Sequence, residues 1–322
     1  MKTSTSKRLR WNVAIWLAAG LFMTSTAGMA AGPIMPDPKA EARHQPQVEE
    51  TANGIPLVNI TAPSSGGVSR NEYETFNVPD KGAILNNSYT LSKTELAGYV
   101  QGNNNMAERP AKIIVNEVTG AGSTSMDGFL EVAGNRADVV IANPNGITVN
   151  GGGFINTGKA FLTTGKPVYD GEDHLQRFDI TGGDILIEGK GLGGKETGSL
   201  AILSRAVKIN AGIWAKDLHI TTGANTVDAK TLEASAIEGK GGRPAFALDT
   251  AAIGGMYAGR ITLVGTEKGL GVNNSGTWSA EDNLTLDWNG DLKNSGTIYS
   301  KGNTDLRANY LENDKTIAAE RN

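Results

Sequence analysis

The chain has 322 residues, no cysteine, 42 glycines and a formal net charge of −4. That length admits one large domain or two ordinary ones, with enough apolar residues to bury a core. The near-balanced charge, with a pI of about 5.5, supplies no basic surface to grip a nucleic-acid backbone, and nucleic acid is excluded as a partner.

Residues 1–30 read as a secretory signal peptide. Lys7, Arg8 and Arg10 form a basic start, an apolar run follows from Trp11 to Met23, and small residues lead to a cleavage site near Ala30. The run falls short of the ~20 apolar residues needed to span a bilayer, so it addresses the chain to the general secretion machinery instead of anchoring it. An exported chain without cysteine takes its stability from packing alone. Residues 31–53 mix proline, alanine and charge without a period, which predicts a mobile leader.

From Gly54 the texture is all-β. Runs such as "AKIIVNEV" (111–118), "ADVVIAN" (137–143), "DILIEG" (184–189) and "GRITLVG" (259–265) are rich in β-branched residues and end in Gly, Asn or Asp. The one helical signal is "SKTELAGYV" (92–100), where Ser92 and Glu95 have capping-box spacing. Near the end, "NSGTW" at Asn274, "NSGTI" at Asn294 and "NDKTI" at Asn313 repeat at 294 − 274 = 20 and 313 − 294 = 19 residues. A turn, a short strand and a second apolar stretch at that interval predict coils of a β-solenoid. The uncapped last coil predicts that the natural chain continues beyond Asn322, and the less periodic Gly54–Glu131 is the candidate N-terminal cap.

Motifs for chemistry are weak. "GFINTGKA" (153–160) has phosphate-loop spacing but places Ala160 where a metal-binding hydroxyl belongs, and Gly165 and Pro167 prevent the required helix. "GKGLGG" (189–194) has dinucleotide-loop spacing without a following helix, and reads as a turn. His44, His174 and His219 lack metal-ligand spacing, and Asp170, Glu172, Asp173 and His174 read as a solvated hairpin loop. No serine sits in a nucleophile elbow. The sequence therefore predicts no cofactor, no metal and no catalysis.

What remains is "ANPNGITV". Pro144 presets a turn dihedral, Asn145 tolerates turn geometry, Gly146 supplies positive φ, and Asn143 can close the reversal with its own side chain. With "ADVVIANPNGITVNGGGFINT", "TELAGYVQGNNNMAERPAKIIVNEVTG" and "ALDTAAIGGMYAGRITLVGTEKGLGVNNSG", the chain resembles the two-partner-secretion domain of filamentous haemagglutinins, haemolysins and contact-dependent growth-inhibition effectors. The resemblance covers nearly all of 54–276. It departs in two places: the family's earlier N-P-N-L motif appears as Asn103, Asn104, Asn105 and Met106, without proline, and Val149 and Gly152 stand where many members carry a cysteine pair.

The resemblance implies a right-handed parallel β-helix with an N-terminal β-cap, divided into a domain at 54–272 and the start of haemagglutinin-type repeats at 273–322. It implies a monomer secreted through the periplasm to the cell surface of a Gram-negative bacterium, and recognised by periplasmic domains of a dedicated outer-membrane β-barrel transporter. Asn143, Pro144, Asn145 and Gly146 then either contact the transporter or nucleate the helix by fixing a corner, with Asn103 to Met106 as the second such region. The parent is a growth-inhibition toxin or an adhesin. The alternative function is a β-helix that is itself an adhesive surface for host carbohydrate or receptor, and an enzyme on a β-helix is a remoter fold-level analogy.

Overall fold

Alternating and continuous apolar runs of this kind bury their side chains only when strands stack, and here they stack in parallel, coil upon coil. The computed structural model describes residues 33–321 except Glu108, so the signal segment lies outside the described residues. Among the described residues there is no α-helix, and one 3-10 turn at Ala42–His44. The result is a parallel β-helix with three sheets around one core. The first stacks Ala83–Asn87, Phe129–Gly134, Gly152–Ile155 and Leu192–Gly194 onto the start of Gly212–Thr222. The second stacks Val68–Phe76, Ile113–Val118, Ala137–Ala142, Thr157–Thr163 and Ser199–Ser204 onto the far half of Gly212–Thr222. The third holds eight strands, from Thr124–Met126 through Ile147–Val149 and Asp184–Ile187 to Tyr310–Asn313.

The runs Ile113–Val115, Val139–Ala142 and Leu200–Leu203 of the second sheet are continuously apolar because both faces are covered there. Ile114, Val139, Ile141, Leu162 and Ile202 point into the core. Val115, Val140, Phe161, Ala201 and Leu203 point outward, under Phe178, Ile180 and Val227. Those last three belong to an antiparallel sheet outside the helix, built from Lys166–Tyr169, Leu175–Ile180, Asn225–Asp228 and Ala234–Ala236. The Asp170–His174 loop is the turn of its first hairpin, as the sequence predicts.

Two expectations fail. The 31–53 segment is no mobile leader in its described part: Ile34–Pro36 pairs antiparallel with Val68–Phe76, and Gln47–Glu50 pairs antiparallel with Pro56–Asn59. Pro36 is tolerated at a register shift, where the ladder is already irregular. His44 is buried with Nδ1 3.0 Å from Glu72 Oε1, while Arg43 reaches Asp173 at 2.6 Å. The cap thus starts some twenty residues earlier than the sequence suggests, and much of 54–131 is already regular parallel coil.

The second failure is the predicted helix at 92–100, which is a hairpin of Ser92–Thr94 and Gly98–Val100. Ser92 Oγ donates to Ser88 Oγ and caps nothing, and Thr94 Oγ1 closes the turn onto the Gly98 carbonyl at 2.8 Å. The buried carboxylate of Glu131 accepts the backbone N–H groups of Glu95 and Leu96 at 2.7 and 2.9 Å. That bond pair, with Val100 packed in one apolar cluster with Ile55, Leu57 and Ile84, fixes the hairpin to the helix.

The repeat at the C-terminal end is literal. Thr277, Thr297 and Thr316 stack in register, as do Asn274, Asn294 and Asn313. Asn274 Nδ2 donates to Asn294 Oδ1 at 2.8 Å, and Asn294 Nδ2 to Asn313 Oδ1 at 2.7 Å.

Candidate recognition and nucleation corners

Asn143–Gly146 turns the chain from the second sheet to the third, between Ala137–Ala142 and Ile147–Val149. The Asn143 carbonyl accepts the Gly146 N–H at 3.1 Å, and its side-chain Oδ1 accepts the Asn145 N–H at 2.9 Å. Its Nδ2 reaches the preceding coil, donating to the Gly122 carbonyl at 2.9 Å and to Thr124 Oγ1 at 3.0 Å. Asn143 is fully buried, so each of these bonds satisfies a polar atom that water cannot reach. Asn145 Nδ2 adds a bond to the Gly120 carbonyl at 2.8 Å. Gly146 holds φ +111°, and a Cβ there would sit 3.0 Å from the Asp184 carbonyl of the next coil. Pro144 and Asn145 are exposed.

Asn103–Met106 makes the same turn. The Asn103 carbonyl accepts the Met106 N–H at 3.1 Å and its Oδ1 accepts the Asn105 N–H at 2.9 Å. Nδ2 of Asn103 donates to the carbonyls of Ile60 and Asn86 at 2.9 and 3.0 Å, and Asn105 Nδ2 reaches Ile60 at 3.1 Å. Asn103 and Met106 are buried, Met106 in the main core, while Asn104 is exposed where the other motif carries Pro144. The missing proline therefore falls at an exposed position that supplies no side-chain bond.

Sequence reasoning missed the acceptors, Gly120, Gly122, Ile60 and Asn86, because backbone carbonyls carry no signature in a sequence. It also missed two buried asparagines that bridge forward to the following coil on the second sheet: Asn71 Nδ2 donates to the Val115 carbonyl at 3.2 Å, and Asn116 Nδ2 to the Val140 carbonyl at 3.1 Å.

The other motifs are structural. Gly153–Ile155 and Thr157–Thr163 of the phosphate-loop lookalike lie in two successive strands, joined at Asn156, whose Nδ2 donates to the Val132 carbonyl at 2.8 Å. Gly189 and Gly191 of the other lookalike lie in a turn before Leu192–Gly194. Near the cap, Arg70 bonds Glu72 at 2.9 Å and lies 4.4 Å over the Tyr169 ring, with Glu117 beside it. Burial pushes the Glu117 carboxyl above the usual carboxylate range. Among the described residues no group of three or more His, Cys, Asp or Glu is placed to hold a metal.

Stacked parallel coils under an antiparallel cap, with buried asparagines at the corners, define a β-helical module. The chain belongs to the TPS secretion domain family, whose model matches residues 33–298. Toxin CdiA of Yersinia pestis is 43% identical over 298 residues, covering 85% of this chain and 9% of that protein. The 16S rRNA endonuclease CdiA of Enterobacter cloacae is 44% identical over 260 residues, covering 80% of this chain and 8% of that protein. The crystal structure of a filamentous hemagglutinin secretion domain superposes with a TM-score of 0.75 at 32% identity, covering 89% of this chain and all of that one. The chain spans less than a tenth of the length of these curated relatives. The matched region is a secretion domain.

Proposed function

We propose that this chain is the secretion portion of a long exoprotein of the growth-inhibition toxin type. The signal peptide delivers it to the periplasm, where periplasmic domains of a cognate outer-membrane β-barrel transporter recognise it while it is still largely extended. Strand addition to a sheet edge of the transporter suits such a chain, with main-chain bonds giving affinity and side chains specificity. Coils then stack at the cell surface, and each coil that folds opposes backsliding.

Within this route Asn143–Gly146 and Asn103–Met106 act as nucleating corners. One observation carries this reading: in both motifs the first asparagine commits its side chain to its own turn and to the preceding coil. A corner that forms its bonds on contact with the coil before it lowers the chain-entropy cost of starting the next. Co-expression in a Gram-negative host with and without the cognate transporter tests the route. Release of the chain into the medium only with the transporter supports it, and periplasmic retention of folded chain under both conditions refutes it.

A further inference from the structure

We infer that the outer face of the first sheet carries a binding strip for a linear acidic polysaccharide, a role independent of transport. Phe129, Gly153, Gly193, Trp214, Tyr257, Ser279 and Tyr299 pair in succession on neighbouring strands, forming one column. At the spacing of hydrogen-bonded strands the column runs about 29 Å. No member is charged, and Phe129 and Tyr257 are 42% and 39% exposed.

The rings in this column lie down on glycines. A Cβ at Gly212 would come 2.5 Å from the Trp214 ring, one at Gly255 would come 2.8 Å from the Tyr257 ring, and one at Gly153 would come 2.4 Å from the Phe129 ring. Any larger residue at those positions would force the rings to move. Trp214 and Tyr257 are nearly parallel, with planes 16° apart and centroids 6.2 Å apart. They line a shallow hollow of about 450 Å³ with Lys195, Lys216, Ser279 and Glu281.

Each feature selects the ligand. An aromatic face is negative and attracts the polarised C–H groups on the flat face of a pyranose. The strands of this column are hydrogen-bonded on both sides, so a peptide cannot join by strand addition. A strip one residue wide, roughly 7 Å, and about 29 Å long offers about 200 Å², well below the ~800 Å² per partner of a stable protein interface. Glu281 pairs with Lys301, which leaves Lys195 and Lys216 as the charges beside the platform and favours a carboxylated sugar.

Isothermal titration of the exported, purified chain with oligogalacturonate and with neutral cellohexaose tests this. Saturable binding of oligogalacturonate is expected, weakened about tenfold by Trp214→Ala or Tyr257→Ala. The Lys195→Ala/Lys216→Ala variant, altered only at exposed side chains, is expected to lose the preference for the acidic chain and to keep the melting temperature. Cellohexaose binding as tight as oligogalacturonate overturns the acidic assignment. No saturable binding of oligogalacturonate, or binding undiminished in a folded Trp214→Ala/Tyr257→Ala variant, overturns the strip itself.

Discussion

Asn103 and Asn143, forty residues apart in the chain, make one and the same turn: each accepts the N–H two residues on with Oδ1, each accepts the N–H three residues on with its carbonyl, and each sends Nδ2 back to the preceding coil. The shared part is asparagine-x-asparagine. The residue between is exposed in both, and it is there that one motif has Pro144 and the other Asn104.

Asn143→Asp replaces a donor with a carboxylate facing the Gly122 carbonyl and Thr124 Oγ1, inside a site closed to water. Urea unfolding is expected to show a loss of about 2–4 kcal/mol, and Asn103→Asp a similar one. Pro144→Ala touches no bond and is expected to stay within ~1 kcal/mol of the parent. Equal losses for all three would remove the distinction between buried and exposed members of the motif.

Arg205 is buried, bonding Glu267 through Nε at 3.0 Å and through its terminal nitrogen at 2.9 Å, and it also holds the Lys240 carbonyl at 2.7 Å. Arg205→Ala removes both guanidinium bonds from Glu267, which keeps the Ala224 N–H at 3.0 Å and some exposure to water, and is expected to cost about 2 kcal/mol. Arg205→Lys recovers one of the paired bonds and should recover only part of that loss. Thermal melts of the two variants decide the point, and full recovery by lysine would contradict the bidentate geometry.

Glu131→Gln should loosen the 92–100 hairpin while the helix beneath stays intact. The amide turns a donor toward the backbone N–H of Glu95 or Leu96 that the carboxylate now accepts. Hydrogen exchange at those two amides is the readout. Faster exchange there with unchanged exchange in Phe129–Gly134 is expected, and unchanged hairpin protection would mean apolar packing alone holds it.

His219 makes stability pH-dependent. Burial lowers its pKa to about 4, with Nε2 2.9 Å from Thr221 Oγ1. The neutral ring is favoured in the fold, so between pH 6.5 and about 4 the unfolded chain binds a proton that the folded chain refuses. This contribution is complete above pH 6.5 and is lost as pH falls through that window, by about 2–3 kcal/mol at its lower end. His219→Asn should flatten that part of the stability curve. An NMR titration placing the folded His219 near 6.5 would rule the effect out.

The fold was legible where a residue's partner is its own repeat. Asn274, Asn294 and Asn313 announce the coil because they stack on one another, and "VVIA" announces a strand because no loop is that apolar. The cap was hidden because its evidence lies in pairings over a distance: Ile34 with Phe76 and Val48 with Val58 leave no local pattern, and the prolines around them argue for a loop. Ser92 and Glu95 misled for the same reason, since the group that decides their conformation is Glu131, 36 residues on from Glu95. Of the corners, the turn at Asn143 could be read from residue types. Its bonds to Gly122 and Thr124, which make it part of the coil below, could not.

The central claim is that these corners serve export by folding and not by offering an exposed surface. The most direct measurement is release into the medium, in cells carrying the cognate transporter, of the parent chain, Asn143→Asp and Pro144→Ala. The account predicts that Asn143→Asp is retained or degraded while Pro144→Ala is released like the parent. Loss of release in Pro144→Ala, with its folding stability unchanged, would contradict the account and make the exposed face of the turn the feature that the transporter reads.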